Sequence, residues 1–357
     1  VIYNQVSFPL KGLLTERQHG FTAGRSTLTK LTCMSHAISS SLDKRGQLDV
    51  IYTDFSKAFD KVNHHLLLRK LAGIGFSCNL SDLIASYLEG RSNFVMINGY
   101  KSDLYKTTSG VPQGSTLGPL LFAVYINDVV ESIKHSELLL FADDVKIFRK
   151  INSFNDCVLL QQDLDCMYNW SEDNNLPLHK AKCKIVTYSA CIETFEYNYE
   201  LDNYILERCN SIKDLGVLYD SQFSFKEHVD NMVANAKKIL GFIIRNCKVF
   251  SNIDTLKILY FALVRTKLEY CALAWFPYYN YQVGKIENVQ RRFLKYVYYK
   301  VEGKWSDRNY PQVVLLVRFC ITIDISAHHS TFSEIVKMLS SSFQNQIFFL
   351  FPEYQLS

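Results

Sequence analysis

Apolar and polar positions along this chain change period several times, from strand-like to helical and back. Leu138-Leu139-Leu140-Phe141 and Val145-Lys146-Ile147-Phe148 are apolar runs of strand length, joined by Ala142-Asp143-Asp144. Aliphatic and aromatic residues favour a buried sheet and Asp favours turns, so this stretch predicts a β-hairpin with carboxylates at its tip. Upstream, residues 49–53 form a β-branched and aromatic run that ends on Asp54 and predicts a strand with an acid at its end. Residues 94–97 and 105–108, around Asn98-Gly99, predict a second hairpin. Helical spacing covers 57–71, where Phe59, Val62, Leu66 and Leu67 share one stripe, and 155–170 through Val158, Leu159, Leu164 and Met167. The strongly apolar 117–129 predicts a buried helix ended by Asn127-Asp128. A short helix over 2–14 and a second opening at Ser26-Thr27 flank a break at 20–24. From Val229 the pattern is helical only: Val229, Met232, Val233, Ala236, Leu240, Ile243 and Ile244 form one stripe, and 256–273 and 283–299 follow. This order predicts an α+β fold, an antiparallel sheet backed by helices, followed by a helical bundle.

Composition adds size and location. With 357 residues and 48% hydrophobic content the chain can bury a sizeable core across two or three subdomains. Arg318 and Asp324 interrupt the most apolar late run, and no signal-peptide pattern opens the chain. A soluble, intracellular protein of the cytoplasm or nucleus is expected. Ten cysteines without a Cys-x-x-Cys pair suggest neither a zinc site nor a disulfide framework. The chain opens on Val1 with motifs close behind, so it reads as an N-terminally truncated piece of something longer. Net charge is +4, but unevenly placed: residues 1–225 carry 22 Lys/Arg against 25 Asp/Glu, and residues 226–304 carry 14 against 6. Lys237, Lys238, Arg291, Arg292 and Lys295 lie in that second stretch, the expected polyanion-binding face.

The chemistry is concentrated at the acids. Asp143 and Asp144 repel each other and sit poorly beside apolar strands unless a cation holds them. An Asp-rich turn without a ligand also fits this hairpin taken alone. With Asp54 on a neighbouring strand end, however, three carboxylates make an oxygen-rich pocket suited to Mg²⁺. Two such ions, with Mn²⁺ as a substitute, would activate an attacking hydroxyl and stabilise a leaving pyrophosphate. In Gly110-Val111-Pro112-Gln113-Gly114-Ser115 the glycines let backbone approach a ligand closely, Pro112 stiffens the loop, and Gln113 can hydrogen-bond a nucleotide.

Asp54-Phe55-Ser56-Lys57-Ala58-Phe59-Asp60, then Gly110 to Phe122, then Phe141-Ala142-Asp143-Asp144, preceded by Gln18-His19-Gly20-Phe21 and Gly24-Arg25-Ser26, resemble the reverse transcriptase of non-LTR (LINE-type, jockey-like) retrotransposons. The resemblance implies a right-hand polymerase: partial fingers over 1–48, a palm over 49–225, a helical basic thumb over 226–304, and a C-terminal extension over 305–357 of unassigned fold. It implies an RNA-directed DNA polymerase that takes an RNA template, a DNA primer and dNTPs, with no membrane partner. Asp54, Asp143 and Asp144 would hold the metals, Asp143 most directly. Phe59 would be the steric gate against a 2′-hydroxyl, and Arg25 would handle the incoming triphosphate. Gln113 and Gly114 would contact the nucleotide, and Lys182 would protonate the leaving pyrophosphate. Ile212 to Val217 resembles the hairpin that grips the primer.

Departures from the family pattern are Thr22 in place of Arg, His179 in place of Asn, and an absent fingers strand. They motivate a rival reading, a decayed or repurposed element fragment that binds nucleic acid without polymerising. With no endonuclease block or zinc knuckle in the sequence, the chain alone is not expected to integrate DNA. An RNA-templated RNA polymerase shares the acids, but Phe59 argues against it.

Overall fold

Strand β1 (Gln47–Thr53) is buried along its whole length, and the rest of the first unit is laid out around it. The computed structural model describes residues 12–305 apart from 192, 251 and 278, together with Val6 and Leu10. The helix expected over 2–14 and the extension after 305 lie largely outside the described residues. Contacts divide the chain into two units, the first running to Leu215 and including Tyr219–Ser224, the second comprising Gly216–Leu218 and the chain from Phe225.

In the first unit β1 pairs antiparallel on one side with β3 (Asp144–Ile151) and on the other with β4 (Lys184–Ser189). The hairpin partner of β3 is β2 (Glu137–Phe141), and the short β5 (Glu207–Arg208) runs parallel to β4. The sheet order is therefore β5-β4-β1-β3-β2. Because side chains alternate, the two faces differ. Ile51, Val145, Ile147, Ile185, Leu138 and Leu140 enter the main core with Leu120, Phe122, Leu160 and Leu164. Those partners come from α4 (Gly118–Ile126), nearly all buried, and α5 (Phe154–Asp173), whose start is set by a capping box between Ser153 and Asp156. Over the opposite face runs α1 (Thr27–Leu42), capped reciprocally by Ser26 and Thr29.

The single helix expected over 57–71 is broken. A short turn, Ala58–Lys61, is followed by α2 (His64–Gly73), because the Asn63 side chain accepts the Leu66 amide and caps a new helix. Helix α3 (Cys78–Leu88) follows. Around Asn98-Gly99 the hairpin forms as two short ladders, Met96–Ile97 with Tyr100–Lys101 and Ser92–Asn93 with Tyr105–Lys106.

In the second unit α6 (Lys226–Asn246) and α8 (Asn280–Glu302) pack on each other. The helix expected over 256–273 is interrupted: α7 (Ile253–Tyr260) passes into a wide turn at Phe261–Arg265, then into Thr266–Glu269 and, after Cys271 at φ 51°, Ala272–Trp275. Its core includes Tyr260 stacked on Phe293 at 4.2 Å and His228 against Trp275 at 5.0 Å. Burial lowers the His228 pKa to about 4. The unfolded imidazole binds a proton near 6.5, so its stability contribution is complete above that pH and is lost as pH falls toward 4. Between pH 7.5 and 5, urea unfolding should show the wild type losing about 2 kcal/mol more than a His228→Phe variant. No helix among the described residues is long and apolar enough to cross a membrane.

Candidate active site

Register brings the acids to one end of the sheet. Thr53 pairs with Val145, so Asp54, the residue just after that strand, falls beside Asp144, and Phe141 pairs with Asp144 across a two-residue turn of Ala142 and Asp143. Ala142 is at φ 55°, a region that costs a non-glycine residue about 1 kcal/mol, so the turn is held by its surroundings.

Residues 17–20 do the holding. Gln18 forms a parallel bridge to Leu140, with the His19 amide donating to Leu140 O at 2.8 Å and the Leu140 amide to Arg17 O at 3.0 Å. The Gln18 Oε1, on a side chain 1% exposed, accepts both the Gly20 amide at 2.8 Å and the Ala142 amide at 3.0 Å. Gln18→Leu keeps the volume and leaves two buried donors unpaired. It is expected to cost about 2 kcal/mol of stability, read by urea unfolding, and to lower any turnover in proportion to the disordered turn.

The three carboxylates differ in surroundings. Asp143 is half-buried, and burial together with the nearby Asp144 and Asp54 charges raises its pKa. Burial would raise Asp144 as well, but the Lys146 and Lys30 ammoniums hold it below the usual carboxylate range. Lys30 Nζ lies 3.2 Å from Asp144 Oδ2, and burial and Lys146 lower its own pKa. Asp54, with a partly exposed side chain, ion-pairs through Oδ2 with Lys182 Nζ at 3.2 Å. Lys182 comes within reach because residues 177–179 run beside β1's end: the Ser56 amide donates to Pro177 O, and the His179 amide to Asp54 O at 2.7 Å. His179 therefore meets Asp54 through backbone, which its side chain does not alter.

Among the described residues no three His, Cys, Asp or Glu side chains converge tightly enough to cage a metal ion. Asp54 and Asp143 still fit Mg²⁺, a hard cation satisfied by one or two carboxylates with water and phosphate oxygens completing its shell.

The glycine-rich loop packs against Phe59. The Val111 amide donates to Phe59 O at 2.9 Å and the Gly110 amide to Val62 O at 2.8 Å. At φ 85°, a Cβ on Gly110 would meet Asp60 O at 2.7 Å, so only glycine fits. The half-buried Phe59 ring stacks on Phe122 at 4.4 Å and takes the edge of Phe21, itself about half exposed. Gln113 Nε2 donates to Asp60 Oδ1 at 2.8 Å, and Gly114 (φ 78°) opens onto free space. The Arg25 guanidinium is bonded into its own loop, to Glu16 O and to His19 Nε2 at 3.4 Å. In the second unit Lys237, Lys238 and Arg292 are exposed, Lys295 is half-buried, and Arg291 pairs with Glu287 at 2.6 Å.

Residues 2–244 match the family described as reverse transcriptase (RNA-dependent DNA polymerase). The chain belongs to the reverse transcriptase family. The RNA-directed DNA polymerase from mobile element jockey of Drosophila funebris is 29% identical over 223 residues, 60% of this chain and 24% of that protein. The jockey enzyme of Drosophila melanogaster is 28% identical over 223 residues, with the same coverage. The chain thus spans about a quarter of the length of these curated relatives. Apo telomerase from Candida Tropicalis is 14% identical with a TM-score of 0.46, covering 96% of this chain and 60% of that one. The α+β arrangement expected from the sequence, a mainly antiparallel sheet backed by helices, is the one the first unit shows.

Sequence reasoning missed the residues that set the acids in place. Gln18 stood within a motif but carried no role. No local pattern gives Lys30 or Asp214 a partner, whereas a lysine inside the apolar run Val145-Lys146-Ile147-Phe148 signals a buried one.

Proposed function

We propose that this chain is the polymerising segment of a non-LTR retrotransposon reverse transcriptase, joining dNTPs to a DNA primer on an RNA template. The observation that supports it most is the register that sets Asp54, at the end of the central strand, beside the turn carrying Asp143 and Asp144. When bound, two Mg²⁺ ions would lower the pKa of the primer 3′-hydroxyl and neutralise charge on the leaving pyrophosphate. Asp54 and Asp143 are the residues to hold them, with Asp144 adding negative charge behind. Lys182, whose Nζ lies 3.2 Å from Asp54 Oδ2, would donate a proton to the departing pyrophosphate oxygen. Phe59, pinned between Phe122 and Phe21, offers a rigid ring edge against a ribose 2′-hydroxyl. Gln113 and Gly114 would face the base pair. Arg25 would reach the triphosphate only after leaving Glu16 and His19. Lys237, Lys238, Arg291, Arg292 and Lys295 would hold the duplex through phosphates, which sets position without reading sequence.

Primer extension on an RNA template with dNTPs and Mg²⁺ tests this reading. Extension by the chain, lost in an Asp143→Asn, Asp144→Asn double variant, is the expected result. No extension with salt-sensitive duplex binding retained would instead identify a nucleic-acid-binding fragment. Phe59→Ala is expected to raise ribonucleotide incorporation relative to deoxynucleotide by about a hundredfold, the few kcal/mol a steric clash commands. Unchanged discrimination in single-nucleotide assays would remove Phe59 from the gate.

A further inference from the structure

A four-charge cluster lies under the acidic turn, on the face of the sheet covered by α1. Lys30 on α1 has a side chain with no solvent exposure, as do Lys146 on β3 and Asp214, from the strand Ser211–Asp214. Burying an ammonium costs several kcal/mol unless it is paired, so the positions of both lysines are tied to the carboxylates they meet. Lys30 Nζ donates to the main-chain oxygen of Asp144 at 2.8 Å and lies 3.2 Å from its Oδ2. It thus grips the backbone and the carboxylate of one residue together. Lys146 Nζ lies 3.9 Å from the same Oδ2, ion-pairs with Asp214, and rests over the Tyr52 ring at 5.4 Å. The Tyr52 hydroxyl meets that of Tyr188 at 3.0 Å and closes the cluster. The cluster brings two lysines and two carboxylates together.

We infer that Lys30 is a positioning residue of the acidic turn: with Lys146 it holds the partly exposed Asp144 carboxylate back against the buried lysines, leaving Asp143 and Asp54 to face a divalent cation. This deepens the polymerase reading and rests on it for the identity of the cation. The turn then presents one carboxylate outward, which keeps repulsion at the tip low before any cation arrives. Removing Lys30 takes away the donor to both the main-chain oxygen and the carboxylate of Asp144 and frees Asp144 to turn outward.

The test uses Mn²⁺ as the probe, its binding read from the electron paramagnetic resonance signal of the free ion, alongside primer-extension kinetics. Asp143→Asn is expected to weaken Mn²⁺ binding about tenfold or more and Asp144→Asn less than about threefold. Lys30→Met is expected to tighten Mn²⁺ binding about threefold while kcat falls about tenfold with the KM for dNTP unchanged, a split that simple loss of folded protein does not produce. Asp144→Asn weakening Mn²⁺ as much as Asp143→Asn, an unchanged affinity in Lys30→Met, or no Mn²⁺ binding by the wild type would each overturn the inference. If Lys30→Met does not fold, the Lys30→Met, Asp144→Asn pair should melt within a few degrees of Asp144→Asn alone, because no carboxylate at residue 144 is then left without its Lys30 partner. A far lower melting point for the pair would overturn it. Absent extension by the wild type would count against the polymerase reading, whereas the ordering of Mn²⁺ affinities judges Lys30 by itself.

Discussion

Asp143→Asn is expected to reduce primer extension about a thousandfold, with Asp54→Asn close behind. A bound metal ion contributes several kcal/mol of transition-state stabilisation, and each 1.4 kcal/mol is about a factor of ten. The two substitutions should differ in their side effects. Asp143 stands at the turn, where burial and the neighbouring Asp144 and Asp54 charges raise its pKa, so a neutral side chain there relieves repulsion. Asp143→Asn should melt no lower than the wild type. Asp54→Asn leaves Lys182 without its carboxylate, but that pair is more than a third exposed and its loss should cost little stability. The measurement is single-turnover extension on an RNA template with melting curves in parallel. Residual extension above about a tenth of wild type in either variant would rule its carboxylate out as a metal ligand.

Gly20→Ala is expected to be the most damaging change outside the acids. A Cβ at residue 20 would press into the Ala142 amide nitrogen and lie 3.0 Å from the Phe141 carbonyl carbon, both backbone atoms of the acidic turn. Backbone cannot rotate away as a side chain can, so the turn or residues 17–20 must shift. Overpacking of this kind costs about 1–3 kcal/mol. A displacement of about 1 Å at a reacting centre is enough for a hundredfold loss of rate. Extension should therefore fall about a hundredfold in protein that still melts cooperatively. Loss of stability with full specific activity would show that the turn's placement does not depend on this contact.

Much of the fold could be read along the chain because its local signals agree with its tertiary ones. The hairpin at 137–151 and the long helices at 154–173, 226–246 and 280–302 follow a strand or helical period, and the helix at 118–126 shows as an unbroken apolar run ended at Asn127. Expectation and structure part where a local interaction competes with the period. Asn63 caps a new helix inside an unbroken apolar stripe, and the helical pattern at 256–273 gives way to a wide turn and a left-handed Cys271. Neither departure leaves a mark in hydrophobic spacing, which reports which side is buried and not whether the backbone bonds continue.

The candidate site divides in the same way. The order and identity of Asp54, Phe59, Gly110 to Gly114 and Asp143-Asp144 are properties of the sequence, legible from side-chain type and from glycines that allow close backbone approach. By itself the sequence determined the family, much of the strand and helix order of the first unit, and the candidate site residues. Tertiary structure alone decided how those residues are held: Gln18 reaching 124 positions along the chain to the Ala142 amide, Lys30 reaching 114 to Asp144, and Asp214 meeting Lys146. The reason is physical. A buried charge or amide is stable only with a specific partner, and which partner it meets is set by the packing of α1 and residues 17–20 on the sheet, contacts between distant segments that no local pattern records.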